Sequence, residues 1–572
     1  MRKFLCVLVL PSLALASCGG GSSSAPPPPP PPPSIAVSVS PSSATIPAGG
    51  TQQFSASVSG TSNTSVAWQV NGTTGGDSSN GTISSSGLYT APKLPPPGGS
   101  ITVTAVSQAD STKSGSASAK IAFSNASVSG AYAFSFSGVN TGGTFFIAGR
   151  FDADGTGNIV NGAEDLNDAS GVFQNLSFTG SYSVGSDGRG TAAITSSQGT
   201  STFHFALDGR GHASIVDFEA TATGSGLVAP QDTSALSLSS IAGNWSFGFG
   251  GEGASGIQVS AGRFTLDNAG NISAGAEDLN DAGTISANAA FTGTASTVDA
   301  NGRGTASFTS GLGTSNFAFY VVTADEVAFV SLDFPSPALS GVAGRQSSSS
   351  FGLSSLSGDY TFFLGGASTL GADVDVGRVT SDANGNLNGG VFDENDAGTL
   401  AQNQGFTGTY TMASNGRGTV TLTSGLGTST FALYMISSNR AFLVETDTTA
   451  ITVGNAYLQS GGPFSNSTVS GSYVFNVSGE VSAAPTDIVG QIVFNSSGNL
   501  TGIEDANEGG TLVPNAALSG SCSVAASGRG TCSLNVSGSI SSYAIYTVDP
   551  TLAFVASMDT GDVLAGPVSK QF

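Results

Sequence analysis

Gly243-Asn244-Trp245-Ser246-Phe247 decides the fold, because it is one of four copies of a single word. Its counterparts are Gly130-Ala131-Tyr132-Ala133-Phe134, Gly358-Asp359-Tyr360-Thr361-Phe362 and Gly471-Ser472-Tyr473-Val474-Phe475. A second word, Gly-Arg-Gly-Thr, begins at Gly188, Gly302, Gly416 and Gly528, at spacings of 114, 114 and 112 residues. Self-similarity at a fixed period marks repeated structural units. Drift this small means four equivalent domains, and Ser-rich seams divide them into 124–235, 236–349, 350–463 and 464–572.

Each unit reads as about eight strands, because short runs of alternating apolar and polar residues are separated by Gly, Asn and Asp, and no helical period is present. In the first copy the runs are 132–138, 144–151, 158–163, 172–178, 180–184, 191–195, 202–207 and 213–218, with a closing segment at 226–229. Connections such as Asp152-Ala153-Asp154-Gly155 and Asp187-Gly188 are hairpin-like, so neighbours in sequence pair in space. Such a meander either closes into a barrel or folds into a sandwich. Closure is the favoured expectation because it removes both edges.

Composition narrows the function classes. The chain has 572 residues, 16 Lys+Arg and 38 Asp+Glu, for a net charge of −22, which disfavours nucleic acid as a partner. Only 9% of residues are charged and 81 are Gly, a profile of β-rich, turn-rich exported protein. Two His and four Cys leave little material for metal or nucleophilic chemistry, and no catalytic residue is predicted.

Toward the N-terminus, Met1-Arg2-Lys3 is followed by the apolar stretch from Phe4 to Leu10, a secretory signal too short to span a bilayer. Leu15-Ala16-Ser17-Cys18-Gly19 resembles the lipobox of bacterial lipoproteins. The resemblance implies cleavage after residue 17, acylation of Cys18 and, with Gly at the next position, an outer-membrane or cell-surface address. Residues 18–34 then form a stalk, Gly- and Ser-rich before the eight prolines Pro26 to Pro33, which favour a stiff polyproline II rod.

Residues 35–123 alternate in short runs, as in Val66-Ala67-Trp68-Gln69-Val70 and Ile101-Thr102-Val103-Thr104-Ala105-Val106. With Ala48-Gly49-Gly50-Thr51-Gln52-Gln53-Phe54 and Gly87-Leu88-Tyr89-Thr90-Ala91-Pro92, the segment resembles the bacterial immunoglobulin-like domains of surface proteins. The implied fold is a sandwich with Trp68 in its core. The repeats resemble lipocalin and avidin-like (calycin) barrels, which open with Gly-x-Trp on the first strand and cover that ring with a basic residue from the last. Gly243-Asn244-Trp245 with Arg345 fits, and Tyr473 with Lys570 fits loosely, whereas Pro230 and Leu458 stand at the corresponding places of the other two units. The expected fold class is therefore all-β: an immunoglobulin-like sandwich followed by four tandem antiparallel β-domains, as closed barrels in preference to sandwiches.

Candidate sites are few. Acidic clusters recur as Glu164-Asp165-Leu166-Asn167-Asp168, Glu277-Asp278-Leu279-Asn280-Asp281, Asp393-Glu394-Asn395-Asp396 and Glu504-Asp505-Ala506-Asn507-Glu508. Oxygen ligands of this kind suit calcium. A solvated turn is the expectation that turn chemistry favours. Carboxylates this close in sequence rarely straddle a sugar as glycoside hydrolysis requires. Asp152-Ala153-Asp154-Gly155 lacks the acidic twelfth ligand of a calcium loop and reads as a hairpin turn. Arg189, Arg303, Arg417 and Arg529 read as solvated turn residues, or else as a row for a polyanion. His204 and His212 occur in the first unit alone, His204 standing where the others have Ala318, Ala432 and Ala544, while Ala206 faces Tyr320, Tyr434 and Tyr546. That pattern is a volume exchange on one strand face. Cys522 and Cys532 flank a hairpin in the fourth unit, within cross-strand reach of a disulfide in an oxidising compartment.

The function expected from the sequence is a non-catalytic, lipid-anchored surface protein for adhesion, display or envelope structure, with a membrane and an extracellular glycan or protein as partners. One rival is a multivalent binder of small ligands, which requires hollow barrels lined by residues such as Phe134, Phe203 and Phe205. A second is a secreted glycan-active enzyme, which requires two convergent carboxylates.

Overall fold

A computed structural model describes residues 34–572; Cys18 and the proline stalk lie outside them. Residues 36–122 form a five-stranded sheet, a four-stranded sheet and a two-stranded pair. They enclose a core of Phe54, Trp68, Val70, Tyr89, Ile101 and Val103, with Trp68 only 6% exposed. Alternation along the strand Ser100–Ser107, whose odd positions are buried, produces this one-sided burial.

Each repeat is a closed barrel of eight antiparallel strands: barrel 1 (129–230), barrel 2 (243–345), barrel 3 (357–458) and barrel 4 (471–570). The first strand of each pairs with both the second and the last, as Trp245 does with Phe264 and Arg345. No edge is left open. The guanidinium of Arg345 lies 5.4 Å from the centre of the Trp245 ring, and the Lys570 ammonium 5.6 Å from that of Tyr473, so both cation-over-ring pairs expected from the sequence are present. Trp245, 1% exposed, also donates its indole N–H to the Ile241 carbonyl at 2.9 Å. The disulfide Cys522–Cys532 joins directly opposed residues of neighbouring strands.

Hairpin chemistry follows the sequence. Asp154 Oδ1 accepts the amides of Thr156, Gly157 and Asn158, and Asp267, Asp382 and Asn495 cap the same turn in the other units. Two expectations are corrected. The runs 172–178 and 180–184 are one strand, Gly171–Val184, that carries a bulge at Asn175 (φ 51°) instead of breaking. The acidic clusters are not turns: they lie in the third strands Asn158–Asp168, Asn271–Asp281, Asn386–Asp396 and Asn499–Glu508. Asp and Asn favour turns, but here they continue a strand, whose alternation sends successive side chains to opposite faces of the barrel wall.

The four barrels form a closed ring. Outward residues of the second strand of one barrel pack on the sixth and seventh strands of the next: Val259 and Ala261 meet Ala432, Tyr434 and Val444, and Val374 and Val376 meet Ala544, Tyr546 and Ala556. Barrel 4 continues the pattern onto barrel 1, where Val489 meets Ala206 and Val216. Each contact is head-to-tail, and such contacts end in a ring when the rotation closes.

Candidate functional site

The residues singled out by the sequence divide between the seams of the ring and the barrel interiors. At the seams, Asp165, Asp278, Asp393 and Asp505 of the acidic clusters point outward. Asp278 takes two parallel bonds from Arg417, Nε to Oδ2 at 2.7 Å and Nη2 to Oδ1 at 2.6 Å, with the Tyr434 hydroxyl donating to Oδ2 at 2.6 Å. The amide of Asn288, held at positive φ, adds a fourth bond to Oδ1 at 3.0 Å. Asp165 with Arg303 and Tyr320, and Asp393 with Arg529 and Tyr546, repeat this geometry. Burial and then the facing carboxylate hold the three tyrosines well above their ordinary range, so they stay protonated donors.

The arginines are thus not solvated turn residues. The Gly-Arg-Gly turn presents each one to the preceding barrel, a partner over a hundred residues away that local pattern cannot reveal. The fourth seam departs from the rest. Arg189 reaches Asp505 through one bond of 3.2 Å and is shared with Asp187 at 3.0 Å. Ala206 supplies no hydroxyl, and His204 takes its place with Nδ1 3.2 Å from Asp505 Oδ1 and its ring stacked on Phe218. Burial works to raise Asp505, but His204, the Asn515 amide and Arg189 outweigh it and hold the carboxyl below its usual value. The volume exchange read from the sequence is therefore also an exchange of hydrogen-bond donors.

Two further sets of seam residues escaped the sequence reading. Asn167, Asn280, Asn395 and Asn507 donate side-chain bonds to carbonyls of the next barrel, such as Ser331, Asp447, Asp559 and Asp217. Gln231, Gln346, Gln459 and Gln571 follow the last strands and donate to Val321, Met435, Thr547 and Leu207. Their recurrence at one repeat position was the available signal. Gln571 fastens the end of the chain to barrel 1, and Phe572 packs beside Phe123 with ring centres 6.0 Å apart.

Inside the barrels the repeats diverge. Barrel 1 encloses a cavity of about 300 Å³ and barrel 3 one of about 450 Å³, whereas barrel 2 leaves about 20 Å³. Phe308 and Phe329 fill barrel 2, Phe308 lying within 6.4 Å, centre to centre, of the rings of Phe247, Phe264, Phe291, Phe317 and Phe329. Barrel 1 has Ile194 and Ile215 at those positions, and barrel 3 has Leu422 and Leu443. The lost ring volume is the space that remains. Short 3₁₀ turns, Asn125–Ser127 and Leu353–Ser355, lie at the chain's approach to these two barrels, with Val128 and Leu356 lining the floors.

The remaining acidic residues face these interiors or cap turns. Glu164 lines the cavity of barrel 1, and burial, then Asp165, pushes its carboxyl up to about 7. Glu277 and Glu504 are likewise raised to about 7 by burial. Asp168 caps the turn at Ser170 and Gly171, Asp281 is part-buried, and Asp396 lines barrel 3 and accepts the Ser368 hydroxyl. Each candidate calcium cluster is thus split between faces of a strand and not gathered around one point. Among the described residues, the carboxylates that do converge are Asp373, Asp375 and Glu394, with ligand atoms within 4.8 Å of one another, in the mouth of barrel 3.

Compared with models of protein families and with curated proteins, the chain matches none.

Proposed function

We propose that this chain is a non-catalytic, exported and lipid-anchored surface protein, and that its ring of barrels binds small, largely apolar molecules inside barrels 1 and 3. The observation that carries the ligand reading is the pair of cavities, because apolar enclosed space of a few hundred Å³ is what small-molecule sites require. It favours the calycin-like reading over pure display or adhesion. The ring seams support a scaffold role, since the recurrent Arg and Asp pairs hold barrel to barrel. The anchor rests on Leu15-Ala16-Ser17-Cys18, and the segment 35–123 serves as an immunoglobulin-like spacer between membrane and ring.

Titration of the whole chain with the uncharged fluorophore N-phenyl-1-naphthylamine tests the ligand reading. Two sites are expected. Ile194→Phe and Leu422→Phe, which copy Phe308 of barrel 2, should each abolish one. Absence of saturable binding, or binding indifferent to both substitutions, overturns it. Cys18→Ser should move the protein from membranes to the soluble fraction; an unmodified N-terminus on the membrane-bound protein overturns the anchor.

A further inference from the structure

The mouth of barrel 3 carries charge that the other barrels lack. Asp373 replaces Phe145, Gln258 and Thr486 of the other units, Asp375 replaces Ile147, Ser260 and Ile488, and Glu394 replaces Leu166, Leu279 and Ala506. Cross-strand register sets Asp373 opposite Asp396 and Asp375 opposite Glu394, two like-charge pairs inside one barrel. Directly opposed like charges destabilise a sheet. Asp373 is 3% exposed, and its Oδ1 has no hydrogen-bond partner. Glu445 adds a fifth carboxyl to the same lining, and among the described residues no Lys, Arg or His lines the cavity. Burial, then the neighbouring carboxylates, raises Asp373 to about 7, Asp375 well above its usual value, and Glu394 upward. The site as it stands is short of positive charge.

Beneath the acids the cavity is apolar, walled by Tyr360, Phe362, Leu364, Phe392, Phe406 and Leu433. Phe392 stands where the other units keep Glu164, Glu277 and Glu504, so barrel 3 has lost the acid at the wall and gained acids at the mouth. Leu370 and Leu426 on the rim are 64% and 61% exposed, an apolar lip beside the acids. A bare metal ion would answer the carboxylates and leave about 450 Å³ of apolar space unexplained. We propose that barrel 3 binds an organic ammonium ion with an apolar body, the ammonium among Asp373, Asp375 and Glu394 and the body in the cavity below.

This rests on barrel 3 being a ligand cavity, and the experiment separates the two ideas. Calorimetry at pH 7.5 compares 2-(1-naphthyl)ethylamine, 2-(1-naphthyl)ethanol and 1-naphthylacetate on the whole chain, with Leu422→Phe identifying the barrel 3 site. The amine should bind there at least tenfold more tightly than the alcohol, and the acid least. Asp375→Asn with Glu394→Gln should bring amine and alcohol to parity while the alcohol still binds. That variant should also melt higher than the parent without ligand at pH 8, which shows that it folds. Equal binding of amine and alcohol to the parent overturns the cation preference and leaves the cavity reading standing. Failure of all three probes overturns both. Stoichiometric Ca²⁺ binding that displaces the amine makes the site a metal site and overturns the proposal.

Discussion

Asp278→Ala removes the acceptor at the centre of the seam between barrels 2 and 3. Three donors lose their partner at once: the Arg417 guanidinium, the Tyr434 hydroxyl and the Asn288 amide. Stranding one member of a buried ion pair costs about 3 to 5 kcal/mol. The Arg417 side chain keeps 19% of its surface in solvent, which places the expected loss near the lower end, about 3 kcal/mol. Tyr434→Phe removes a single hydrogen bond to a charged acceptor and should cost about 2 kcal/mol. Arg417→Ala leaves Asp278 wholly buried without its cation and should cost as much as Asp278→Ala. The double variant strands neither charge, so the cycle should show a coupling of at least about 1.5 kcal/mol.

Trp68 and Trp245 are the two tryptophans of the chain, so Trp68→Phe makes fluorescence a report on barrel 2 alone. Urea unfolding followed at Trp245 then measures the cycle, with the slope checked for constancy across variants. A loss below about 1 kcal/mol for Asp278→Ala, or additive single substitutions, would refute the view that these recurrent charges hold the ring together.

Other consequences are open to direct measurement. Glu164, Asp217, Glu277, Asp373, Glu445 and Glu504 are held at about 7 to 8, above the value near 4 of an unfolded carboxyl, so the folded chain binds more protons between those limits. Their contribution is full below pH 4 and lost as pH rises through 7 to 8, so thermal scans should give a higher Tm at pH 5 than at pH 8; a flat or opposite trend contradicts the assignment. At the fourth seam, Asp505→Ala should cost less than Asp278→Ala, because Arg189 keeps Asp187, while Ala206→Tyr with His204→Ala should raise stability by restoring the arrangement of the other three; equal losses or a lower Tm would speak against it. Cys522→Ala with Cys532→Ala should cost at most about 3 kcal/mol, since the bridge closes a short loop, and denatured, unreduced protein should show no free thiol at either position.

Much of the fold was legible because it is local. Alternation, hairpin chemistry and the four-fold repeat identify strands, their order and their antiparallel pairing, and closure is favoured because it removes both edges of the meander. The seams were not legible, for a physical reason. A strand gives each residue a side, but not whether the outside is water or another barrel. Asp278 and Arg417 therefore read as two polar residues in turns, and only the ring makes them one buried pair. The cavities were hidden by the same limit: Phe308, Ile194 and Leu422 are all acceptable inward residues, and their difference is one of volume summed over eight strands.

The two faces of one strand explain how a single architecture can carry different contents. In Asn386–Asp396, Asp393 and Asn395 point out and are fixed by the seam with barrel 4, while Phe392, Glu394 and Asp396 point in and line the cavity. The outward positions are the same Asp and Asn in all four units, where each is bonded across a seam. The inward positions vary without touching a seam: Glu164, Glu277, Phe392 and Glu504 share one place, and Leu166, Leu279, Glu394 and Ala506 another. Closure by four head-to-tail contacts therefore separates the requirements of assembly from those of the interior, residue by residue along a strand. Barrels 1 and 3, which are not neighbours in the ring, thus keep differently lined cavities, while barrel 2 between them is filled by Phe308 and Phe329.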